Sequence, residues 1–150
     1  MSRRDMISLV STKPRSPDLH KSDFEQLSEF RYQIRRFERF SEKAAQEHGI
    51  TPLQYLLLLH VKGYPERPWA TIGELAERLQ AQHNGVVALV TRCEAAGLVE
   101  RRTSQADGRR VEVHLLAPGE AILRQLADLH RRELNSLRGR FSVPFIDLSE

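Results

Sequence analysis

The chemistry of this chain is concentrated between Arg101 and Arg110, where four arginines stand against a single acid, Asp107, with Gly108 beside it. Guanidinium groups at the tip of a narrow hairpin suit the minor groove of A·T-rich duplex DNA, whose narrowness concentrates negative potential. Asp107, two residues before Arg109, can grip that guanidinium in a bidentate ion pair and fix its direction. A second group lies upstream: Gln82, His83, Asn84, Val87 and Ala88. Gln and Asn side chains pair bidentately with adenine N6 and N7, His83 can donate to a base or a phosphate, and small apolar side chains sit against thymine methyls. Thr71, Arg92, Arg101, Arg102 and Arg110 complete the expected contact set with Arg109 and Asp107. Read blandly, both groups are solvated turns that carry incidental polar residues.

Such groups do this chemistry only if the backbone aims them, and the surrounding pattern supplies the elements. Thr71-Ile72-Gly73-Glu74 has the spacing of a capping box and opens a helix of about two turns with Leu75, Ala76 and Leu79 on one face. Gln80 to Asn84 interrupts that pattern. Val86, Leu89, Val90, Cys93, Ala96 and Leu98 then resume a helical apolar face, with Gly97 suited to the C-terminal stop. Val99 to Thr103 and Val111 to Leu115 alternate with period two around hairpin residues. Helix, turn, helix and hairpin in that order make a winged helix-turn-helix, whose second helix enters a major groove by its N-terminal turns.

Long helices flank this module. Phe24, Leu27, Phe30, Ile34, Phe37, Phe40 and Ala44 recur at steps of three and four, opposite Arg31, Arg35, Arg36, Arg39 and Lys43. Gly49 stops that helix, Thr51-Pro52 starts the next, and Leu53 to Val61 is nearly all apolar, as in a helix covered on most sides. After Pro118, Ile122, Leu123, Leu126, Leu129, Leu134, Leu137 and Phe141 form a last stripe. The expected fold is therefore mainly α with a small β-hairpin wing. A basic, flexible arm spans 1–17, dimerisation helices span 18–48 and 118–150, and the winged module spans 50–117 of one structural domain. Two amphipathic helices outside a small module need a cover, and a two-fold partner is the simplest one.

Composition sets outer limits. The 150 residues carry a formal charge of only +3, so a polyanion partner requires the charge to be segregated. A single cysteine excludes an intrachain disulfide framework and a cysteine-built zinc site and suits a reducing compartment. The six histidines show no HxxxH or HExxH spacing, and neither a phosphate-cradling glycine motif nor a Ser/His/Asp grouping suggests an enzyme. The apolar residues near the N-terminus are too interrupted for a signal peptide, and no apolar run is long enough to span a membrane, so the cytoplasm is the expected location.

The residues also carry a resemblance. Leu75-Ala76-Glu77-Arg78-Leu79, Leu89-Val90-Thr91-Arg92-Cys93-Glu94-Ala95-Ala96-Gly97-Leu98-Val99-Glu100-Arg101 and Asp107-Gly108-Arg109-Arg110-Val111 are similar to the MarR family of bacterial transcription factors. The likeness extends more loosely to the long first helix, to Ile50-Thr51-Pro52-Leu53-Gln54-Tyr55 and to the helix after the wing. It implies a homodimer with interleaved terminal helices on double-stranded DNA, Arg109 at the wing tip in the minor groove with Asp107 orienting it, and no cofactor. It also implies a ligand-responsive repressor of a pseudo-palindromic operator, relieved by a small aromatic or phenolic effector. Tyr32, Arg36, His60 and Trp69 are the candidate effector residues, an aromatic wall with cationic or titratable groups for a carboxylate.

The chain departs from the family pattern at Gln82, in place of a Ser-type cap, and at Gly85, Val87 and Ala88, in place of polar or basic residues. Two other readings remain at this point. One is a winged module for protein interaction without DNA. The other is a thiol- or metal-responsive sensor using Cys93 or the histidines, against which stands the apolar-face position of Cys93.

Overall fold

The computed structural model describes residues 18–145. The N-terminal arm expected over 1–17 lies outside the described residues, as do residues 146–150.

The chain begins with a long helix, α1 (Lys21–Glu47), closed at its N-terminus by a box in which the Asp23 carboxylate accepts from the His20 backbone N–H at 2.8 Å. Gly49, at φ +78°, turns the chain into α2 (Pro52–Lys62). Thr51 caps α2 as its sequence suggests, and Gln54 returns the bond, its side chain accepting from the Thr51 N–H at 2.9 Å. The apolar run in α2 buries Tyr55, Leu57, Leu58 and Val61. This helix is the centre of the core, with α1, the winged module and the last helix packed around it.

The winged module holds β1 (Trp69–Thr71), α3 (Ile72–Leu79), α4 (His83–Ala95), β2 (Val99–Thr103) and β3 (Val111–Leu115). Thr71 and Glu74 form the expected capping box. Gln80, at φ +50°, ends α3 in a left-handed turn, and α4 starts three residues later. The α4 helix turns Val86, Leu89, Val90 and Cys93 inward, each burial contributing roughly 1.5–3 kcal/mol for a side chain of Val or Leu size.

The sheet has three strands in the order β1-β3-β2, all antiparallel. Two strands were expected. The third, β1, pairs Trp69 with His114 and Thr71 with Glu112. Three residues directly after Pro68 are too short a run to show alternation, and the strand exists only because β3 offers it an edge.

The last helix, α5 (Ala117–Ser136), stops well short of the extent expected from its apolar stripe. Leu137 is its C-cap and Gly139, at φ +80°, redirects the chain, so Phe141 packs beside Phe30 of α1 at 5.7 Å instead of continuing the stripe. Two charge clusters brace the module. Arg67 lies over the Trp69 ring at 3.9 Å and bonds bidentately to Glu74. Burial opposes ionisation of Glu74, but hydrogen bonds from Tyr64 and Thr71 together with the Arg67 charge overcome it and hold the carboxyl at about 2. Lys62 at the end of α2 pairs with Glu120 in the first turn of α5 at 2.9 Å.

The junction of α4 with the wing is closely packed. Gly97, at φ +73°, closes α4, and the Leu98 carbonyl accepts from the Leu116 N–H at 2.9 Å. Gly119 of α5 presses against that same carbonyl so closely that a Cβ would stand 2.1 Å from its oxygen. Gly119→Ala should therefore lower unfolding stability by about 2–3 kcal/mol, read from denaturant midpoints; an unchanged midpoint would mean that α5 does not bear on this junction.

Candidate nucleic-acid interface

The inner face of α4 decides what its outer face shows. With Val86, Leu89, Val90 and Cys93 buried, helical periodicity leaves Gln82, His83, Asn84, Val87, Ala88, Thr91 and Arg92 exposed. Gln82 is the N-cap residue and makes no side-chain capping bond. The Thr71 hydroxyl is already engaged, accepting from the Glu74 N–H at 3.3 Å while the Glu74 carboxylate accepts from the Thr71 N–H at 2.9 Å.

The wing turn is built by its own backbone and two short side chains. The Ser104 N–H donates to the Arg110 carbonyl at 2.9 Å and the Arg110 N–H to the Asp107 carbonyl at 3.0 Å. The Asp107 N–H donates to Ser104 Oγ at 3.2 Å. Asp107 does not hold the Arg109 guanidinium as the spacing suggested: its Oδ1 accepts from the Arg109 backbone N–H at 3.0 Å. A carboxylate reaches the amide two residues on within one local turn, and it orients Arg109 by fixing the backbone that carries it.

The four wing arginines divide into two kinds. Arg102 bonds to Glu100 at 2.6 Å through Nε, and Arg101 bonds to Glu94 of α4 at 3.0 Å. Arg109 and Arg110 are exposed, and among the described residues no acid lies within ion-pair distance of either guanidinium. Between α3, α4 and the wing runs a groove of about 520 Å³ lined by Thr71, Ile72, Gly73, His83, Val87, Arg101, Arg109, Arg110 and Val111. The fold thus gathers Thr71, His83, Val87, Arg101, Arg109 and Arg110, distant in sequence, around one cationic furrow. Gln82, Asn84, Ala88, Arg92, Arg102 and Asp107 are not on its wall. Ile72 and Gly73 were missed, although their place in the first turn of a capped helix, where backbone N–H groups lack intrahelical partners, is visible in the sequence.

Comparison with known proteins accords with this geometry. The MarR family model matches residues 48–110, which span α2, the helix pair and the wing. The matched module is of MarR type. Members of that family are transcription regulators and not enzymes, and the winged-helix fold of this chain is the one they share. A protein of Thauera aromatica, named as a transcriptional regulatory protein for the hcr operon, is 29% identical over 73% of this chain and 69% of its own length. A MarR-family structure from Bacillus stearothermophilus superposes with a TM-score of 0.68 at 24% identity, covering 87% of this chain and 86% of that one. A MepR variant from Staphylococcus aureus, solved bound to an oligodeoxyribonucleotide, superposes with a TM-score of 0.61 at 18% identity over 83% of this chain and 86% of its own.

MarR-type resemblance also suggested an effector wall of Tyr32, Arg36, His60 and Trp69, and these residues have other neighbours. Arg36 lies over the Tyr32 ring at 5.5 Å on the exposed side of α1. Trp69 stacks on His114 at 5.8 Å and carries Arg67 on its ring. Burial, and secondarily the charge of Arg78, lower the pKa of His60, so its ring is neutral at physiological pH and supplies no cation. None of the four lines the apolar cavity of about 440 Å³ between α1, α2 and α5, whose wall includes Phe37, Ser41, Tyr55, Leu59, His130 and Leu134. His130 organises that wall: Nδ1 donates to the Leu126 carbonyl at 2.6 Å, Nε2 meets Ser41 Oγ at 2.8 Å, and Tyr55 stacks on the ring at 4.7 Å. Sequence reasoning passed over His130 because a lone histidine within a leucine-rich helix carries no spacing signal.

Cys93 is fully buried in the core of the module, and burial pushes its thiol up to about 11, the nearby Arg92 charge lowering it only in part. Among the described residues no group of three His, Cys, Asp or Glu side chains is placed to hold a metal. At pH 8 the native thiol should react with a disulfide reagent about a hundredfold more slowly than the same thiol in denaturant. Native labelling as fast as denatured labelling would restore the thiol-sensor reading.

Proposed function

We propose that this regulator binds duplex DNA as a homodimer and represses transcription by occluding a pseudo-palindromic operator, with release by a small aromatic or phenolic effector. The observation that carries the DNA reading is the furrow that joins Thr71, His83 and Val87 of the helix pair to Arg109 and Arg110 of the wing. Its helical side suits a major groove, and its arginine side suits the adjacent phosphates and minor groove. Gln82 and Asn84, exposed at the start of α4, add amide pairing to adenine, and Ala88 adds contact with a thymine methyl. Arg92, one turn further along, faces the backbone as a phosphate contact.

Homodimer formation is supported by the apolar surface outside the module. Phe24 and Leu27 of α1, Leu134 of α5, and Phe141, Val143 and Phe145 after it are 40% to 58% exposed. Side chains of that size on two helices and a tail match the face that a second copy covers. The cavity around His130 is the preferred effector site: its wall is mostly apolar and aromatic, and Ser41, His130 and Tyr55 provide a few polar atoms for orientation. An effector relieves repression there only by binding a DNA-incompetent spacing of the two α4 helices more tightly than the competent one. In this reading the protein works in the cytoplasm; no helix among the described residues is long and apolar enough to cross a membrane.

The test starts from a duplex selected by the wild-type protein from a random pool. Arg109→Ala should weaken binding to it by about tenfold and reduce the slope of log K against log salt by about 0.9, leaving the dimer intact by sedimentation. An unchanged affinity and slope would remove the wing from the interface, and failure to select any duplex would favour the protein-interaction reading.

A further inference from the structure

Arg101 stood among the expected DNA contacts because of its charge, yet its surroundings give it a different task. Along β2 the side chains alternate, and Arg101 shares the face of Val99, which is fully buried. It therefore points at α4. Its Nη1 donates to Glu94 Oε1 at 3.0 Å, and its Nη2 donates both to Thr91 Oγ1 at 2.8 Å and to the Val87 carbonyl at 3.0 Å. The other Glu94 oxygen accepts from the Arg101 backbone N–H at 2.9 Å, so the carboxylate spans main chain and side chain of one residue. Thr91 completes the set by donating its hydroxyl to the Val87 carbonyl at 3.0 Å.

We propose that Arg101 is a positioning residue, a clamp that fixes the angle between the wing and the recognition helix. The planar fork of a guanidinium is needed, because three acceptors on two successive turns of α4 are met from one strand position. The partners Val87, Thr91 and Glu94 lie on the flank of α4 beside the furrow, so the clamp sets its width. A duplex that meets α4 in a major groove and Arg109 in a minor groove needs both at a fixed separation. Glu94 neutralises Arg101 while it does so, which leaves the wing's share of the charge offered to phosphates to Arg109 and Arg110.

The functional consequence rests on the duplex-binding reading above, whereas the clamp is a property of the free protein, and the experiment separates the two. In the free protein, hydrogen exchange of the wing amides between Val99 and Arg110 should speed up in Arg101→Ala, Arg101→Lys and Glu94→Gln with the α2 core still protected. On the selected duplex each variant should bind about tenfold more weakly than wild type, with the salt slope unchanged, and Arg101→Ala/Glu94→Gln should be no weaker than either single variant. Lysine fails to rescue a fork, but it does rescue a phosphate contact. The clamp is overturned if wing exchange is unchanged in all three variants. It is equally overturned if Arg101→Lys restores affinity while Arg101→Ala lowers the slope by about 0.9 and Glu94→Gln leaves affinity at or above wild type. A wild-type chain that selects no duplex, with the exchange result intact, would sink the DNA reading and leave the clamp standing.

Discussion

Everything this chain presents to a partner depends on the burial of one stripe of α4. Val86, Leu89, Val90 and Cys93 fasten the helix onto α2 and the sheet, and they leave it one rotational setting. A helix turned by a single residue, about 100°, would bury polar groups without partners and expose a row of core side chains. The outward set from His83 to Arg92 is thus a by-product of packing, and so is the place where Arg101 finds its acceptors. The Leu98 carbonyl, pinned by Leu116 and pressed by Gly119, then fixes where the wing departs.

Electrostatics in the module follows the same economy. Arg67 with Glu74 and Arg101 with Glu94 form pairs that join neighbouring elements, Arg102 with Glu100 pairs within β2, and Glu74 and Glu94 each also bond a backbone N–H. These partly shielded pairs specify geometry more than they add stability, since removing charge from water offsets much of the attraction. The arginines left over are those that matter to a polyanion. Among the described residues of the module, Arg78, Arg92, Arg109 and Arg110 have no acid within ion-pair distance; Arg78 lies over the Tyr64 ring, and the other three lie on or beside the face that carries the furrow. The formal charge of the whole chain, +3, says little about binding by comparison with where these groups sit.

The fold was largely legible because its signals are local. Thr51 with Pro52, Thr71 with Glu74, Gly97, and the alternation of Val99 to Thr103 each have one short-range meaning, and the helices and hairpin they bound are present. The strand β1 was illegible because its three residues gain their conformation from β3. The end of α5 was misjudged because Leu137 and Phe141 keep helical spacing after the helix has stopped at Ser136. Within the site, burial and charge pairing were the hidden variables. Arg101 and Arg109 look alike in sequence, and only the period-two face shared with Val99 separates a clamp from an exposed cation. The Asp107 carboxylate was correctly linked to Arg109 but through the wrong atoms, main chain instead of guanidinium. The apolar cavity could not have been read at all, since Ser41, Tyr55 and His130 meet only when three helices pack.

The central claim is that two copies of this furrow hold one duplex. Hydroxyl-radical footprinting of the selected duplex, with the stoichiometry of the same complex taken by sedimentation, tests it most directly. The account predicts two protomers per duplex and two matching protected patches on one face, about one helical turn or roughly 10 bp apart. A single protomer with one unsymmetric patch would contradict it.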